Sequence, residues 1–204
     1  MAAALLVAAL AQAPDEAALL ERLKGGTAAE RRAAAGRLGE VGGAAAAGEL
    51  ARALRDPDAE VRDRAQAALW AIWQRSGNAA VDALLQRGIV LMDQGRYPDA
   101  AAVFSEVIDR DPGFAEGWNK RATVYYLMGE YDRSLADCQE VIRRNPIHFG
   151  ALSGFGLIYL QKGDLERAAE YFERALTVNP NLETVEAVLE QLHELLKQRK
   201  KQAI

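Results

Sequence analysis

The feature that most constrains the fold of this 204-residue sequence is a repeat, with a period of 34 residues, in its second half. Glycine recurs at this interval, and so does a polar residue followed by proline. Aromatic and small residues keep the same offset. The positions that repeat are Gly95, Gly129 and Gly163; Asp111-Pro112, Asn145-Pro146 and Asn179-Pro180; Tyr97, Tyr131 and Leu165; Ala100, Ser134 and Ala168; Phe104, Cys138 and Phe172.

Each copy of the repeat reads as two helices. An apolar helical pattern ends at the glycine, which adopts the left-handed conformation that stops a helix. A second amphipathic pattern follows and ends at the proline pair, because the residue before proline is disfavoured in helical geometry. Small residues such as Gly88 and Gly156 are expected to let the paired helices approach closely, and larger ones such as Phe172 to fill the seams.

These residues resemble the tetratricopeptide repeat (TPR) family over residues 81–181, which is three full units. Residues 182–204 then read as a C-terminal capping helix with a basic tail, since a solenoid needs a polar-faced helix over its last seam. The sequence departs from the family pattern at three positions. Arg87 and Arg121 stand where the family favours a bulky apolar residue, and Cys138 stands where it favours an aromatic. We expect Cys138 to be a small core residue.

Residues 15–76 carry a different repeat, with a period near 31. The phrase Asp58-Ala59-Glu60-Val61-Arg62 resembles a HEAT-type helical repeat, and Arg31 aligns with Arg62. An arginine at this position is expected to pair with a neighbouring acid or carbonyl. The fold class predicted for the whole chain is therefore all-α: a right-handed α-solenoid in which a HEAT-like pair precedes three TPR units and a capping helix.

Residues 1–13 form a separate apolar segment. The run from Met1 to Ala11 ends in Ala9-Leu10-Ala11, a pattern of the type that signal peptidase cleaves, but it lacks a basic n-region. We predict a signal peptide, with an N-terminal apolar helix as the alternative. A periplasmic or secreted location follows from the first reading and a cytoplasmic one from the second. No other apolar run approaches the ~18 residues of a membrane span.

Signatures of catalysis are missing from the sequence. One cysteine and two distant histidines provide too few residues for a zinc or cysteine-based centre, and no phosphate-binding glycine loop or nucleophile motif is present. We therefore predict no enzyme activity, no metal and no cofactor. A net charge of −4 disfavours a nucleic-acid partner. His148, in a turn, is expected to cap the next helix or to be exposed, rather than to contact a ligand.

In the TPR family, the first helix of each unit lines a groove that binds extended peptides or helices. The resemblance places a partner-binding set on the three first helices: Asp82, Leu85, Ile89, Met92 and Asp93; Glu116, Asn119, Thr123, Tyr126 and Leu127; Gly150, Ser153, Leu157, Leu160 and Gln161. The lysine and asparagine set that clamps a C-terminal carboxylate in some members is absent, since Leu85 and Ile89 occupy two of its positions.

The resemblance thus implies a scaffold or adaptor that binds a protein or peptide in the groove. We expect a partner segment with apolar anchors and room for a basic residue opposite the acidic side chains of the first unit. Two alternatives stay open: a structural protein that assembles with copies of itself as a homo-oligomer, and a non-catalytic regulatory subunit of an envelope complex. The fold alone identifies no partner.

Overall fold

The computed structural model describes residues 16–202, and this range contains eleven α-helices and no strand. The all-α prediction is therefore confirmed. The described chain divides into two compact units, with the boundary in sequence between Ile72 and Trp73. None of the helices in residues 16–202 combines the length and hydrophobicity that a bilayer span requires. The predicted signal peptide, residues 1–13, lies outside the described residues.

The first unit contains the helices α1 (Glu16–Gly25), α2 (Ala28–Val41), α3 (Ala44–Ala53) and α4 (Ala59–Trp73). The last residue of α4, Trp73, already belongs to the second unit. Thr27 begins α2 with a capping box, in which its side chain and that of Glu30 satisfy each other's backbone N–H groups. The four helices match the number expected for two HEAT-like units, and the HEAT-like assignment itself stays a prediction.

Arg31 and Arg62, the repeated arginines of the first unit, form hydrogen bonds to residues in the turns between its helices. The Arg31 guanidinium forms two hydrogen bonds to the Asp56 carboxylate, of 2.7 and 2.8 Å, and a third to the Gly26 carbonyl at 2.9 Å. Arg62 donates to the backbone carbonyl of Asp56 at 2.9 Å. The pairing that was expected for these arginines, with a neighbouring acid or carbonyl, is confirmed.

The second unit contains three helix pairs and a final helix. The first helices of the pairs are α5, α7 and α9, and the second helices are α6, α8 and α10. The bounds are α5 (Ala79–Asp93), α6 (Tyr97–Arg110), α7 (Ala115–Leu127), α8 (Tyr131–Arg144), α9 (Phe149–Gln161), α10 (Leu165–Val178) and α11 (Glu183–Gln202).

The periodic glycines end the first helices as the sequence predicts. Gly129 has a φ of +76°, in the left-handed region that glycine adopts without strain. Its N–H donates to the Tyr126 carbonyl at 3.0 Å, and the N–H of Glu130 donates to the Tyr125 carbonyl at 2.8 Å. This pair of bonds is the Schellman motif. Gly95 and Gly163 form the same bonds, so one turn geometry joins all three helix pairs.

A glycine facing a phenylalanine ring sets the close approach of two of the helix pairs. A Cβ atom added at Gly88 would overlap the ring of Phe104, and one added at Gly156 would overlap the ring of Phe172. Both rings are almost fully buried. The middle pair, α7 and α8, has Ala122 and Cys138 at the corresponding positions, so it contains neither the glycine nor the ring.

Arg121, which departs from the family pattern in the middle unit, pairs with a buried carboxylate. Arg121 forms two hydrogen bonds of 2.8 Å to the carboxylate of Asp137 on α8, and it donates to Ser105 Oγ on α6 at 2.9 Å. The hydrogen bond and the negative charge of Asp137 outweigh burial and raise the pKa of Arg121. A charged pair thus replaces the apolar contact that the family makes at this seam.

A buried polar cluster connects α7 to the start of α9. His148 Nδ1 accepts a hydrogen bond from the backbone N–H of Ala151 at 3.0 Å, so the predicted helix cap is confirmed. Its side chain is fully buried, however, so the expected alternative of an exposed ring is wrong. Because Nδ1 accepts, the ring proton lies on Nε2, which is 3.2 Å from Glu116 Oε2 and donates to it.

Further groups compensate the charge of Glu116. Asn119 Nδ2 donates to Oε2 at 3.1 Å, and Lys120 Nζ lies 3.1 Å from Oε1, which forms no hydrogen bond within the described chain. Trp73 stacks on the His148 ring with 4.4 Å between centroids. Burial by itself raises the pKa of Glu116, but the His148 hydrogen bond and the Lys120 charge outweigh it and hold the pKa below the ordinary glutamate value.

We predict that Gly156→Ala destabilises the protein by about 1–3 kcal/mol, because its methyl group would overlap the Phe172 ring. Gly154→Ala, on the same helix, is the matched control, since its added Cβ meets only Cys138 Sγ at an ordinary 3.5 Å. Urea unfolding measures both variants. Equal midpoints for the two would show that the glycine and phenylalanine contact does not set the helix spacing.

We also predict that Glu116→Gln lowers the free energy of unfolding at pH 7 by about 1–3 kcal/mol, since a hydrogen-bonded buried charge is lost. The pKa of Glu116 is depressed in the folded state, so its carboxylate stabilises the fold above the ordinary glutamate pKa. This stabilisation disappears as the pH falls through the lower folded value. The difference between wild type and variant should therefore shrink towards pH 3.

Thermal unfolding at a series of pH values tests this expectation. The matched control is Glu190→Gln, because Glu190 is exposed and its side chain pairs with no other residue in the range 16–202. A difference between wild type and Glu116→Gln that stays constant from pH 7 to pH 3 would contradict the assigned charge state of the buried cluster.

Candidate functional site

The partner-binding residues predicted from the sequence lie on α5, α7 and α9, and we call this surface the first-helix face. Four of them are apolar or aromatic and half-buried: Ile89, Met92, Tyr126 and Leu160. Two leucines are more open, with Leu127 46% exposed and Leu157 40% exposed. The exposed polar members are Asp93, Thr123 and Gln161.

The structure corrects the predicted set at two positions. Leu85 and Glu116 are each 0% exposed, so neither side chain is available to a partner. Leu85 packs in a core cluster with Phe104 and Val124, and Glu116 belongs to the buried polar cluster. Asp82 is half-buried and accepts from the backbone N–H and hydroxyl of Ser76 at 2.8 and 2.7 Å, so its carboxylate holds the turn before α5.

A cavity of about 160 Å³ opens on the first-helix face between α7 and α9, with α8 at its base. We call it the α7–α9 pocket. Its lining contains no charged residue. The lining residues are Asn119, Ala122, Thr123 and Tyr126 from α7; Ser134 and Cys138 from α8; and Gly150, Ala151, Ser153, Gly154, Leu157 and Ile158 from α9.

The pocket exists because the middle unit lacks the phenylalanine ring of its neighbours. Cys138 stands where Phe104 and Phe172 stand in the flanking units, and Ala122 adds back only one methyl group where those units have glycine. Both residues line the pocket. Gly154 lies opposite with no side chain of its own, so nothing from α9 fills the space.

Cys138 contributes volume to the pocket rather than reactivity. Its side chain is buried, and burial together with the nearby Asp137 charge raises the pKa of the thiol to about 12. A thiol with such a pKa is protonated at neutral pH and is a poor nucleophile. Within residues 16–202, no three His, Cys, Asp or Glu side chains are grouped closely enough to hold a metal ion.

The hydroxyl groups of the lining are oriented by the backbone. Thr123 donates to the Asn119 carbonyl at 2.9 Å, Ser153 to the Phe149 carbonyl at 2.9 Å, and Ser134 to the Ala122 carbonyl at 2.7 Å. Each of these hydroxyls has one hydrogen, which is already donated, so each presents only acceptor lone pairs to the pocket. The fourth hydroxyl of the lining, that of Tyr126, accepts from Gln161 Nε2 at 3.5 Å and keeps its own hydrogen. The pocket is therefore neutral, with several acceptors and the Tyr126 hydroxyl as a donor.

The pocket brings together six residues that the sequence placed on the groove: Asn119, Thr123, Tyr126, Gly150, Ser153 and Leu157. The residues of α5, together with Leu127, Leu160 and Gln161, lie outside it. The groove positions carried over from the family do not include the base of the pocket, Ser134 and Cys138, or Ala122, Ala151, Gly154 and Ile158. The signal in the sequence is Cys138, which is smaller than the aromatic residue that the family favours at this position.

Comparison with a family of known proteins adds to this description. The tetratricopeptide repeat family model matches residues 58–115, 85–146 and 119–182, a continuous range from 58 to 182. The first match begins at residue 58, directly before α4, within the range 15–76 whose sequence resembles HEAT-type repeats. The HEAT-like assignment has no corresponding match among these ranges.

Two relatives show how far the similarity extends. The chain is 35% identical over 124 residues to a TPR repeat-containing protein of Rhizobium etli, an alignment that covers 61% of each protein. It is 32% identical over 104 residues to human DnaJ homolog subfamily C member 3, covering 51% of this chain and 21% of the relative. The chain thus spans about three fifths of the first relative and about a fifth of the second.

Solved structures share the fold at lower identity. The Sgt2 TPR domain from Aspergillus fumigatus superposes with a TM-score of 0.58 at 19% identity, covering 62% of this chain and 85% of that one. The first TPR of Spaghetti (RPAP3), bound to the HSP90 peptide SRMEEVD, has a TM-score of 0.55 at 24% identity and covers 57% and 93%. The helix pairs, their glycine turns and these matches agree, and the chain belongs to the tetratricopeptide repeat family.

Proposed function

We propose that this protein is a non-catalytic adaptor that binds a segment of another protein on its first-helix face. The observation that carries the proposal is the pairing of two exposed leucines with a neutral pocket on the same face. Leu127 and Leu157 are 46% and 40% exposed, and Leu157 lines the pocket. Single exposed leucines are ordinary, but an apolar face with a pocket is typical of a binding surface.

The similar structures support a peptide as the partner. The TPR of Spaghetti was solved with an HSP90 peptide, and the TPR2B domain of yeast Sti1 was solved in a complex with pHsp70. The first-helix face here differs in chemistry from a carboxylate clamp, since Leu85 is buried and Ile89 is apolar. We therefore infer that recognition depends on apolar anchors within the partner rather than on a terminal carboxylate.

The described surface also supports a non-catalytic role. The carboxylate of Glu116 is fully buried beneath the face and is compensated by His148, Asn119 and Lys120. A general acid or base must reach its substrate, and this group does not. A location in the cell envelope is part of the proposal only in so far as residues 1–13 act as a signal peptide.

We predict that the double variant Leu127→Glu/Leu157→Glu loses partner capture while its melting temperature stays within about 2–4 °C of wild type, the shift that ~1 kcal/mol produces in a chain of this size. Both side chains are exposed, so the changes remove apolar surface from the face with little effect on the core. Affinity capture from an extract of the source organism, followed by mass spectrometry, measures binding.

The control is Leu195→Glu, which changes an equally exposed leucine (48%) on α11. The same proteins should bind to wild type and to this control. Identical capture by all three forms would exclude the first-helix face as the binding surface. Capture of only further copies of the chain, in all three forms, would instead favour the self-assembling alternative.

A further inference from the structure

The α7–α9 pocket lies where the flanking helix pairs place an aromatic ring. In those pairs the rings of Phe104 and Phe172 are almost fully buried, each against the glycine that faces it. The middle pair has Cys138 at this repeat position, and Cys138 lines the pocket together with Ala122. The repeat itself therefore indicates the shape of the missing group, which is a single six-membered ring.

The volume of the pocket agrees with this shape. An apolar protein cavity of about 150 Å³ binds one benzene molecule. The α7–α9 pocket has about 160 Å³ and is open to the first-helix face, so a molecule with one aromatic ring can enter it from solvent. The ring and one small substituent account for the available space.

The electrostatics of the lining favour a neutral molecule. No lining residue carries a charge, so a charged ligand would lose its hydration without gaining an ion pair. The carboxylate of Glu116, to which the lining residue Asn119 donates, already has His148 and Lys120 as partners. It therefore offers little attraction to a cation in the pocket.

The polar groups of the lining favour a hydroxyl substituent on the ring. Thr123 and Ser153 present only acceptor lone pairs, whereas the Tyr126 hydroxyl keeps its hydrogen for donation. None of these three residues is fully buried, so their polar groups are open to water. A ligand that displaces this water has to replace its hydrogen bonds. A phenolic hydroxyl both donates and accepts, so it can pair with either kind of group.

We propose that the α7–α9 pocket is a binding site for a small, neutral, hydroxylated aromatic molecule, whose ring takes the place that Phe104 and Phe172 fill in the flanking pairs. The ligand is a free molecule rather than a residue of a partner protein. The site therefore goes beyond the proposed adaptor function and does not depend on it. Since Tyr126 and Leu157 belong to both the pocket and the first-helix face, the bound ring forms part of that face.

Phenol is the probe, added to the full chain and followed by the NMR signals of the methyl groups. Three lining residues carry methyl groups around the space, namely Ala122, Leu157 and Ile158. Their signals should shift and saturate with a dissociation constant of roughly 0.1–3 mM, within the range that ligand efficiencies allow for so small a molecule. The signals of Leu195, on α11, should stay unchanged. Absence of a saturable shift at the lining methyls would overturn the proposal.

Two variants test whether the volume of the pocket holds the ligand. Ala122→Gly/Cys138→Phe installs the pair of the flanking units and fills the pocket with a ring of the chain itself, so phenol should bind about tenfold more weakly or not at all. Cys138→Ala is the matched control, since it keeps the space open, and its affinity should stay within about threefold of wild type. Loss of binding in Cys138→Ala would assign the affinity to the thiol and overturn the proposal.

A second pocket-filling variant keeps the test valid if the first does not fold. Should Ala122→Gly/Cys138→Phe fail to melt cooperatively, Gly154→Leu extends a side chain into the pocket from the opposite wall, where the added Cβ meets only Cys138 Sγ at 3.5 Å. Unchanged phenol affinity in either variant, once it is shown to be folded, would overturn the proposal.

Three other probes test the chemistry of the ligand. Benzene, which lacks the hydroxyl, should bind about threefold to tenfold more weakly than phenol, the effect of one hydrogen bond. Benzoate should cause no saturable shift, because its charge has no partner in the lining. N-acetyltyrosinamide carries the same phenol on a peptide-like unit and should bind no more tightly than phenol.

The contrary results with these probes are equally informative. Benzene that binds as tightly as phenol would overturn the role of the hydroxyl, and saturable binding of benzoate would overturn the neutral class. Tighter binding of N-acetyltyrosinamide than of phenol would overturn the free ligand in favour of a tyrosine of a partner protein. All of these titrations proceed without a partner, so their failure leaves the adaptor function to the capture experiment with Leu127→Glu/Leu157→Glu.

Discussion

The second unit depends on the close approach of its paired helices. A glycine that faces a phenylalanine ring sets this approach. At Gly88 and Gly156 the absent side chain leaves room for the rings of Phe104 and Phe172. The ring then fills the seam at a density that tolerates no added methyl group. One turn geometry, with a left-handed glycine, joins each of the three pairs of the second unit. The same helix pair is therefore repeated three times in this unit, with the ring contact in the first and third pairs.

The middle pair, α7 and α8, has neither the glycine nor the phenylalanine, and the pocket follows from this difference. Ala122 and Cys138 together fill less space than glycine and phenylalanine, and the difference appears as a pocket open to the first-helix face. The same unit carries the polar substitutions, with Arg121 paired to Asp137 and Glu116 paired to His148. A volume deficit of this kind normally costs stability. Its position next to a neutral surface gives that cost a functional explanation.

The sequence predicted the helix pairs, their glycine ends and the close glycine contacts, because these depend on local conformation and on a period that repeats three times. It did not predict that Leu85 and Glu116 are buried. A groove position carried over from the family specifies only which side of a helix a residue occupies. Whether its side chain is buried depends on the other side chains that pack against it. The Glu116 and His148 contact joins residues 32 positions apart and has no counterpart in the repeat pattern. The pocket is harder still to predict, since its volume depends on side chains from three helices.

The size of the pocket also limits how the protein can act. Burial of one aliphatic side chain contributes about 1.5–3 kcal/mol, far less than the ~8 kcal/mol of a micromolar complex. A single apolar anchor is therefore too weak to hold a partner, and the proposed adaptor function needs further contacts along α5 and α9, where Ile89, Met92 and Leu160 are half-buried. A partner segment that spans these helices, as the proposed function requires, provides such contacts, and ordering a flexible segment costs conformational entropy that lowers the affinity. Several modest contacts spread along one face suit a reversible adaptor, since its partner must be held and then released.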